Sequence, residues 1–271
     1  MGKPFLKWVG GKRQLIPQIT PFIPPHFNRY FEPFMGGAAL FFHLQPEKAF
    51  LSDVNEELVN CYCQVRDAPL EVIKHLQGHI YEKDYYYHLR NLDRDKLAYS
   101  RLSASMRAAR LLYLNRTGFN GMYRVNSKGE FNVPFGRYKN PDFVNEAGIL
   151  EASAILQEVT ITNHSFSYIA EQAQKGDFVY FDPPYVPLSQ TAHFTQYAKD
   201  DFTLSQQQEL AQTCRRLHEK QVHFVASNSY HHIVKELYHG FECEAVSARR
   251  SINSNASGRA PVKELLIWNK L

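Results

Sequence analysis

RYFEPFMGGAALFFHLQPEKAFLSD, residues 29–53, is the stretch on which the fold turns. A β-rich run, RYFEPF (29–34), leads to Gly36-Gly37, a helical run AALFFHL follows at once, and a second β-rich run, AFLSD (49–53), closes the unit. Strand, glycine turn, helix and strand in this order make a βαβ crossover, which commits the two strands to one parallel sheet. Further β-rich segments stand at EVTITN (158–163), DFVYFD (177–182), QVHFVAS (221–227), ECEAVSA (242–248) and KELLIWN (263–269). Helical segments separate the first five, so the expected fold class is α/β, with seven strands and helices flanking a mainly parallel sheet. Between the fourth and fifth strands, Thr203 opens a T-x-x-Q capping box, and Leu210, Ala211, Cys214 and Leu217 recur at helical spacing. That helix is expected to pack on the sheet.

Between AFLSD and EVTITN lie about a hundred residues, far more than a usual crossover needs. The interval opens with helical stretches (57 to about 116) and ends with a hairpin candidate, in which GMYRVN and EFNVPF flank Ser127-Lys128-Gly129. The domain expectation is a catalytic domain formed by 1–56 and 145–271, interrupted by a mostly helical recognition domain, 57–144, that ends in a β-hairpin.

Charge sharpens this division. The chain of 271 residues carries a net charge of +4. Residues 101–140 hold eight Lys and Arg against Glu130 alone, which leaves the remainder of the chain acidic. A basic block interleaved with aromatic and amide side chains is the footprint of nucleic-acid contact, although a solvated helix face would show the same imbalance. No apolar run approaches the roughly 18 residues of a membrane span, and the start MGKPFLKWVG has no signal-peptide core, so a cytoplasmic protein is expected, without membrane partners. Cys61, Cys63, Cys214 and Cys243 form no C-x-x-C pair and have no His at zinc spacing, so reduced thiols and no metal site are expected.

Three features carry chemistry. Glu32-Pro-Phe-Met-Gly-Gly ends the first strand, where Gly36 lets backbone approach a nucleotide-like ligand at the carboxyl edge of the sheet. The full G-x-G-x-x-G fingerprint is absent, and a plain tight turn also accounts for the pair. Asp53, at the tip of the second strand, stands where an acid can hold both ribose hydroxyls; the competing reading is a helix N-cap ahead of Asn55-Glu56-Glu57. A glycine turn and a ribose acid without a pyrophosphate signature fit S-adenosylmethionine better than a dinucleotide. The decisive motif is Asp182-Pro183-Pro184-Tyr185, directly after the fourth strand. Chance would place it in a chain of this composition on the order of once in a thousand. A carboxylate (Asp182) and the next carbonyl (Pro183) can accept both N–H groups of an aromatic amine and turn its lone pair outward, while Tyr185 offers a stacking face. A base inside a duplex reaches such a site only by flipping, so the chain needs a grip on flanking DNA.

FLKWVGGK (5–12), EPFMGGAALFF (32–42), LYLNRTGFNGMYRVNSKGEFNVPFGRYK (112–139), DPPYVPLSQTAHFTQY (182–197) and RRSINSNASGRAPVKELL (249–266) together resemble the Dam family of DNA adenine methyltransferases. The order of motifs is that of the alpha group of amino-methyltransferases. The resemblance implies a Rossmann-like methyltransferase with a seven-stranded mixed sheet, S-adenosylmethionine as cofactor, and methylation of adenine N6 within GATC in double-stranded DNA by base flipping. It implies that Trp8, Lys12, Asp53 and Asp182 line the cofactor site, with Glu32, Phe34, Gly36 and Phe166 beside them. Lys7, Asn120, Met122, Arg124 and Pro134 match target-reading positions, Phe119 matches an aromatic wedge, and Arg116, Arg137 and Lys139 match contacts to the DNA backbone. Met122 stands where Leu is commoner, Ala38 where a third glycine is common, and Ala260-Pro261 where basic residues often follow. Plain readings stand beside these: Trp8 and Phe119 as packing residues, Arg124 as another phosphate contact. A monomer is expected, associated with the nucleoid when on DNA. Residues 186–202 are read as a lid. The alternatives are an amino-methyltransferase of the same fold acting on RNA or protein, and a non-catalytic DNA-binding regulator.

Overall fold

The computed structural model describes residues 2–185, 202–248 and 262–271. Strands β1 (Tyr30–Glu32), β2 (Ala49–Ser52), β3 (Thr160–Thr162), β4 (Phe178–Phe181), β5 (His223–Ser229), β6 (Glu242–Ala248) and β7 (Val262–Trp268) form one sheet in the order β3-β2-β1-β4-β5-β7-β6. Each of the seven β-rich segments overlaps one of these strands, β5 running two residues beyond its segment and β7 starting one residue before its own. β1 runs parallel to β2 and β4, and β4 to β5, while β7 lies antiparallel between β5 and β6. The helices are α1 (Ile16–Ile19), α2 (Ala39–Leu44), α3 (Glu56–Asp67), α4 (Pro69–Gln77), α5 (Lys83–Asn91), α6 (Lys96–Ser100), α7 (Ala104–Thr117), α8 (Glu146–Leu156), α9 (Ile169–Gln172), α10 (Leu204–Glu219) and α11 (His232–Leu237). None of the described helices is long and apolar enough to cross a membrane.

The chain divides into two compact units. One comprises Met1–Gly11, Gly36–Gln45 and Asp53–Asn163; the other comprises Lys12–Met35, Pro46–Ser52 and His164–Leu271.

In the second unit every residue of β4 is buried, as a parallel strand covered on both faces requires, which is why FVYF reads as a run instead of an alternation. The capping box at Thr203 forms as expected: its side chain accepts from the Gln206 N–H, and Gln206 returns to the Thr203 N–H. Leu210, Ala211, Cys214 and Leu217 of α10 then pack with Val179 and Phe181 of β4 and with Phe224 and Ala226 of β5. Burying each such Leu, Val or Phe side chain stabilises the unit by about 1.5–3 kcal/mol. At the opposite end of β4 the Arg29 guanidinium grips the buried Asp177 carboxylate at 2.6 Å, tying the starts of β1 and β4 together.

The first unit is helical. Asn55 caps α3 by accepting from the Leu58 N–H, with Glu56 and Glu57 in the first turn where the helix dipole favours acids. Ser103 caps α7, which is buried from Ala108 to Asn115. The hairpin candidate is realised as antiparallel segments joined by two isolated bridges, Val125 to Phe131 and Gly118 to Phe135, without continuous strands. Its tip is an Asx turn in which the Asn126 side chain accepts from the Lys128 and Glu130 N–H groups. Helix side chains take backbone groups that strand partners would otherwise hold. Asp93 accepts from the Phe131 N–H, Arg94 donates to the Phe131 carbonyl, and Tyr86 donates to the Val133 carbonyl. Asp93 is in turn paired with the buried Arg110 at 2.9 Å.

Candidate active site

Asp182 follows β4, the buried central strand, so its backbone is held at the carboxyl end of the sheet. The Lys12 ammonium lies 2.9 Å from Asp182 Oδ1, and the two side chains are 7% and 19% exposed. Burial pushes the Asp182 carboxyl up to about 6, against the opposing pull of Lys12 and with a smaller upward push from Glu264. The same ammonium sits 4.6 Å from the centre of the Tyr185 ring, a cation–π contact. The Tyr185 phenol donates to Glu264 Oε2 at 2.6 Å and is kept neutral by burial and by the carboxylates of Asp182 and Glu264. The Pro184 carbonyl accepts from Gln207 Nε2 at 2.8 Å, and the Gln207 carbonyl oxygen accepts from Asn228 at 3.0 Å. Pro183 is buried, and the turn is fixed by two prolines that fix φ and lack N–H donors. In the same unit Glu32 is buried in β1 and accepts from the Tyr30 phenol at 2.8 Å. Phe34 stacks on Phe166 at 5.4 Å, and both meet Phe202 edge-on.

The first unit holds a second constellation. Gly36 has φ +44°, and a Cβ there would come within 2.7 Å of Trp8 Cδ1, so both the backbone angle and the indole exclude a side chain. Ala38, two residues on, also lies in the left-handed region at φ +46°, a conformation glycine adopts with less strain. The Asp53 side chain accepts from the Gly36 N–H at 3.1 Å and from the Asn55 N–H at 2.9 Å. The N-cap of α3 is therefore Asn55, and Asp53 orders the loop ahead of it. Burial raises the Asp53 carboxyl, and backbone donors from Asn55, Gly36 and Val54 oppose that. Trp8 stacks on Tyr123 with ring centres 4.9 Å apart, and Tyr62 donates to the Gly36 carbonyl. An ionised carboxylate has about four acceptor positions, and the backbone N–H groups of Gly36, Asn55 and Val54 take three of them, so Asp53 keeps capacity for about one ligand hydroxyl. A hydroxyl acceptor next to a glycine backbone and an indole fits the ribose and adenine of an adenosine ligand such as S-adenosylmethionine.

The basic block separates into two sets. Arg107 pairs with Glu56 and Glu57, Arg110 with Asp93, and the half-buried Arg116 donates to the Phe5 carbonyl. These three cations are engaged within the unit. Arg101, Arg124, Lys128, Arg137 and Lys139 are exposed, Arg124 donating to the side chain and carbonyl of Asn132. Phe119 is 48% exposed on a short turn in which Asn120 has φ +55°. Pro134 is exposed and its carbonyl accepts from the Phe119 N–H; Met122 is half-buried. Lys7 is brought to this turn by Asn115, a buried residue that sequence reading missed. The Asn115 side chain accepts from the Lys7 N–H and donates to the Lys7 and Gly121 carbonyls.

Asn115 and Gln207 share one signal that could have revealed them. Each is an amide at a position of the apolar stripe, Asn115 one turn after Leu111 and Gln207 one turn before Leu210-Ala211. A polar group there is buried, and a buried polar group must find partners. Glu264 and Asn228 had no such signal. The expected lid, apart from Phe202, and most of the last matching stretch, at 249–261, lie outside the described residues.

The sheet order, with β7 antiparallel between β5 and β6, and the Asp182 turn at the end of β4 define the class of Rossmann-like methyltransferases. The family model described as D12 class N6 adenine-specific DNA methyltransferase matches residues 8–252. The chain is 44% identical to the Type II methyltransferase M1.LlaDCHI of Lactococcus lactis subsp. cremoris, over 98% of this chain and 95% of that protein. It is 38% identical to the Type II methyltransferase M.MjaIII of Methanocaldococcus jannaschii, over 98% and 99%, and 36% identical to the DNA adenine methylase of Escherichia coli, over 98% and 95%. The chain belongs to the D12 class of N6 adenine-specific DNA methyltransferases. It is an enzyme, its substrate is DNA, and its family implies S-adenosylmethionine as methyl donor.

Proposed function

We propose that this enzyme methylates adenine N6 at GATC in double-stranded DNA, acting as a monomer on a base flipped out of the duplex. The observation that carries the chemistry is the Asp182 carboxylate, held beside Lys12 at 2.9 Å on a proline-stiffened turn. An exocyclic amine is a poor nucleophile because its lone pair is delocalised into the ring. Asp182 and the Pro183 carbonyl accept its two N–H bonds, favour a more tetrahedral nitrogen and aim the lone pair; Tyr185 supplies a face for the base. These are positioning and electrostatic effects, available before the reaction begins. S-adenosylmethionine supplies a methyl group on a positively charged sulfur. Asp53, Gly36 and Trp8 are proposed to hold its adenosine end, with Lys12, Glu32, Phe34, Phe166 and Asp182 as the remaining cofactor residues.

Residues 57–144 are proposed as the target-recognition region, inserted between 1–56 and 145–271 of the catalytic region. The exposed Phe119 supports a wedge that replaces the stacking of a flipped base, a loss of a few kcal/mol. Arg124, carried on the hairpin, suits bidentate contact with guanine in a major groove, with Lys7, Asn120, Met122 and Pro134 beside it. Arg137 and Lys139 are assigned to phosphates. Arg116 is assigned to the backbone as well, a role in which its bond to Phe5 would have to be shared or exchanged. The GATC assignment rests on the resemblance of 112–139 to the Dam family.

Asp182→Ala tests the reading. Turnover on a GATC duplex is expected to fall by about a thousandfold or more, the scale of losing a preorganised polar group, while salt-sensitive DNA binding stays near the parent value. Parent-like turnover would refute the mechanism.

A further inference from the structure

Glu264 takes no direct part in the proposed methyl transfer, yet it accepts the Tyr185 phenol at 2.6 Å, the one acceptor of that phenol among the described residues. It lies on β7, paired in register with Ser229 of β5 and Val246 of β6, so its backbone is fixed from both sides. The ring it holds carries the Lys12 ammonium at 4.6 Å, and that ammonium is the one 2.9 Å from Asp182. Four side chains from three separate segments thus form a chain: Glu264 of β7, Tyr185, Lys12, and Asp182 on the same turn as Tyr185. We propose that Glu264 is a positioning residue for methyl transfer, fixing the Tyr185 ring through its phenol and completing the charge balance around Asp182. The inference rests on the reading of Asp182 and Tyr185 as catalytic residues.

The geometry explains why a carboxylate serves here better than a neutral acceptor. A charged acceptor makes a stronger, shorter hydrogen bond to a phenol, and the same bond enriches the ring on which Lys12 rests. Its negative charge also acts on Asp182. The groups that act electrostatically on the Asp182 carboxyl are Lys12, which favours its ionised form, and Glu264, which opposes it; the buried phenols of Tyr30, Tyr180 and Tyr185 stay neutral beside it, with Glu32 bonded to Tyr30. Removing the charge at 264 therefore shifts the balance toward ionised Asp182, so the acid limb of activity moves to lower pH. A residue that merely packed would leave that limb in place.

The experiment measures single-turnover methylation of a duplex DNA between pH 5 and 8 for the parent, Glu264→Gln, Glu264→Ala and Asp182→Ala. Glu264→Gln keeps shape and an acceptor oxygen, so it separates the charge from the hydrogen bond and is expected to fold as the parent does. Both Glu264 variants are expected to move the acid limb down by about half to one pH unit, as loss of a nearby like charge does. Glu264→Ala is expected to lower the rate about tenfold at saturating DNA with little change in DNA affinity, and Glu264→Gln to recover most of that loss. An unmoved limb, or equal rate losses in the two variants, would overturn the inference. If Asp182→Ala is inactive while the Glu264 variants match the parent, only this inference falls; if Asp182→Ala is active, the catalytic reading falls with it.

Discussion

At residue scale, the enzyme's behaviour with pH is concentrated in Asp182. Burial raises its carboxyl from 3.8 to about 6, and in the proposed mechanism it must be ionised to accept one amine N–H while the Pro183 carbonyl accepts the other. Activity is therefore expected to rise with pH through about 6. Lys12 holds the value down, so Lys12→Gln should move the acid limb upward, which a pH–rate profile checks. The same shift has a consequence for folding. Asp182 binds its proton more tightly in the folded chain than in the unfolded one, so stability falls as pH rises from 3.8 through about 6 and stays lower above that. Asp182→Asn removes this cost and should stabilise the inactive protein at pH 8 by about 1–3 kcal/mol, a gain that vanishes near pH 4. Denaturant unfolding at the two pH values checks this; a less stable variant at pH 8 would contradict it. Asp182 was legible in the sequence because D-P-P-Y is rare and follows a strand. Its partners were legible unevenly. Lys12 came only through resemblance, and Glu264, 82 positions further along, has no spacing rule to link it to the turn.

At the scale of elements, what was legible depended on whether the signal was local. The capping box at Thr203 and the stripe Leu210, Ala211, Cys214 and Leu217 lie within a few turns of one helix, and the structure has both. The hairpin was read too regularly. GMYRVN and EFNVPF do run antiparallel, but Asp93, Arg94 and Tyr86 take backbone groups of the second segment, and these come from helices more than 35 residues away in sequence. Asn115 shows the same limit from within α7. Its place on the apolar stripe marks it as buried, but not its partners, and its side chain ties the Lys7 segment to Gly121 through three hydrogen bonds. Asn115→Ala leaves those backbone groups without their partner and should cost about 2–4 kcal/mol. A loss below about 0.5 kcal/mol in denaturant unfolding, the size of a surface change, would show that the tie is not structural.

For the whole molecule, charge and chemistry divide along the chain in the way a site-specific DNA enzyme needs, but part of the positive charge of the basic block is paired within the fold. Arg107 and Arg110 are paired with acids of the helical unit and the half-buried Arg116 donates to the Phe5 carbonyl, whereas Arg101, Arg124, Lys128, Arg137 and Lys139 are exposed. A count of cations cannot separate these sets, because pairing with Glu56, Glu57 and Asp93 is decided by folding. Fold class and reaction type were legible from strand spacing, the Gly36 turn, Asp53 and the Asp182 motif. The target sequence was not, since it depends on how a few exposed side chains meet base edges. The most direct measurement incubates the enzyme with methyl-labelled S-adenosylmethionine and two matched duplexes, one containing GATC and one scrambled, then identifies the labelled nucleoside. N6-methyladenine from the GATC duplex alone is the predicted result; label on another nucleoside, or equal labelling of both duplexes, would contradict it.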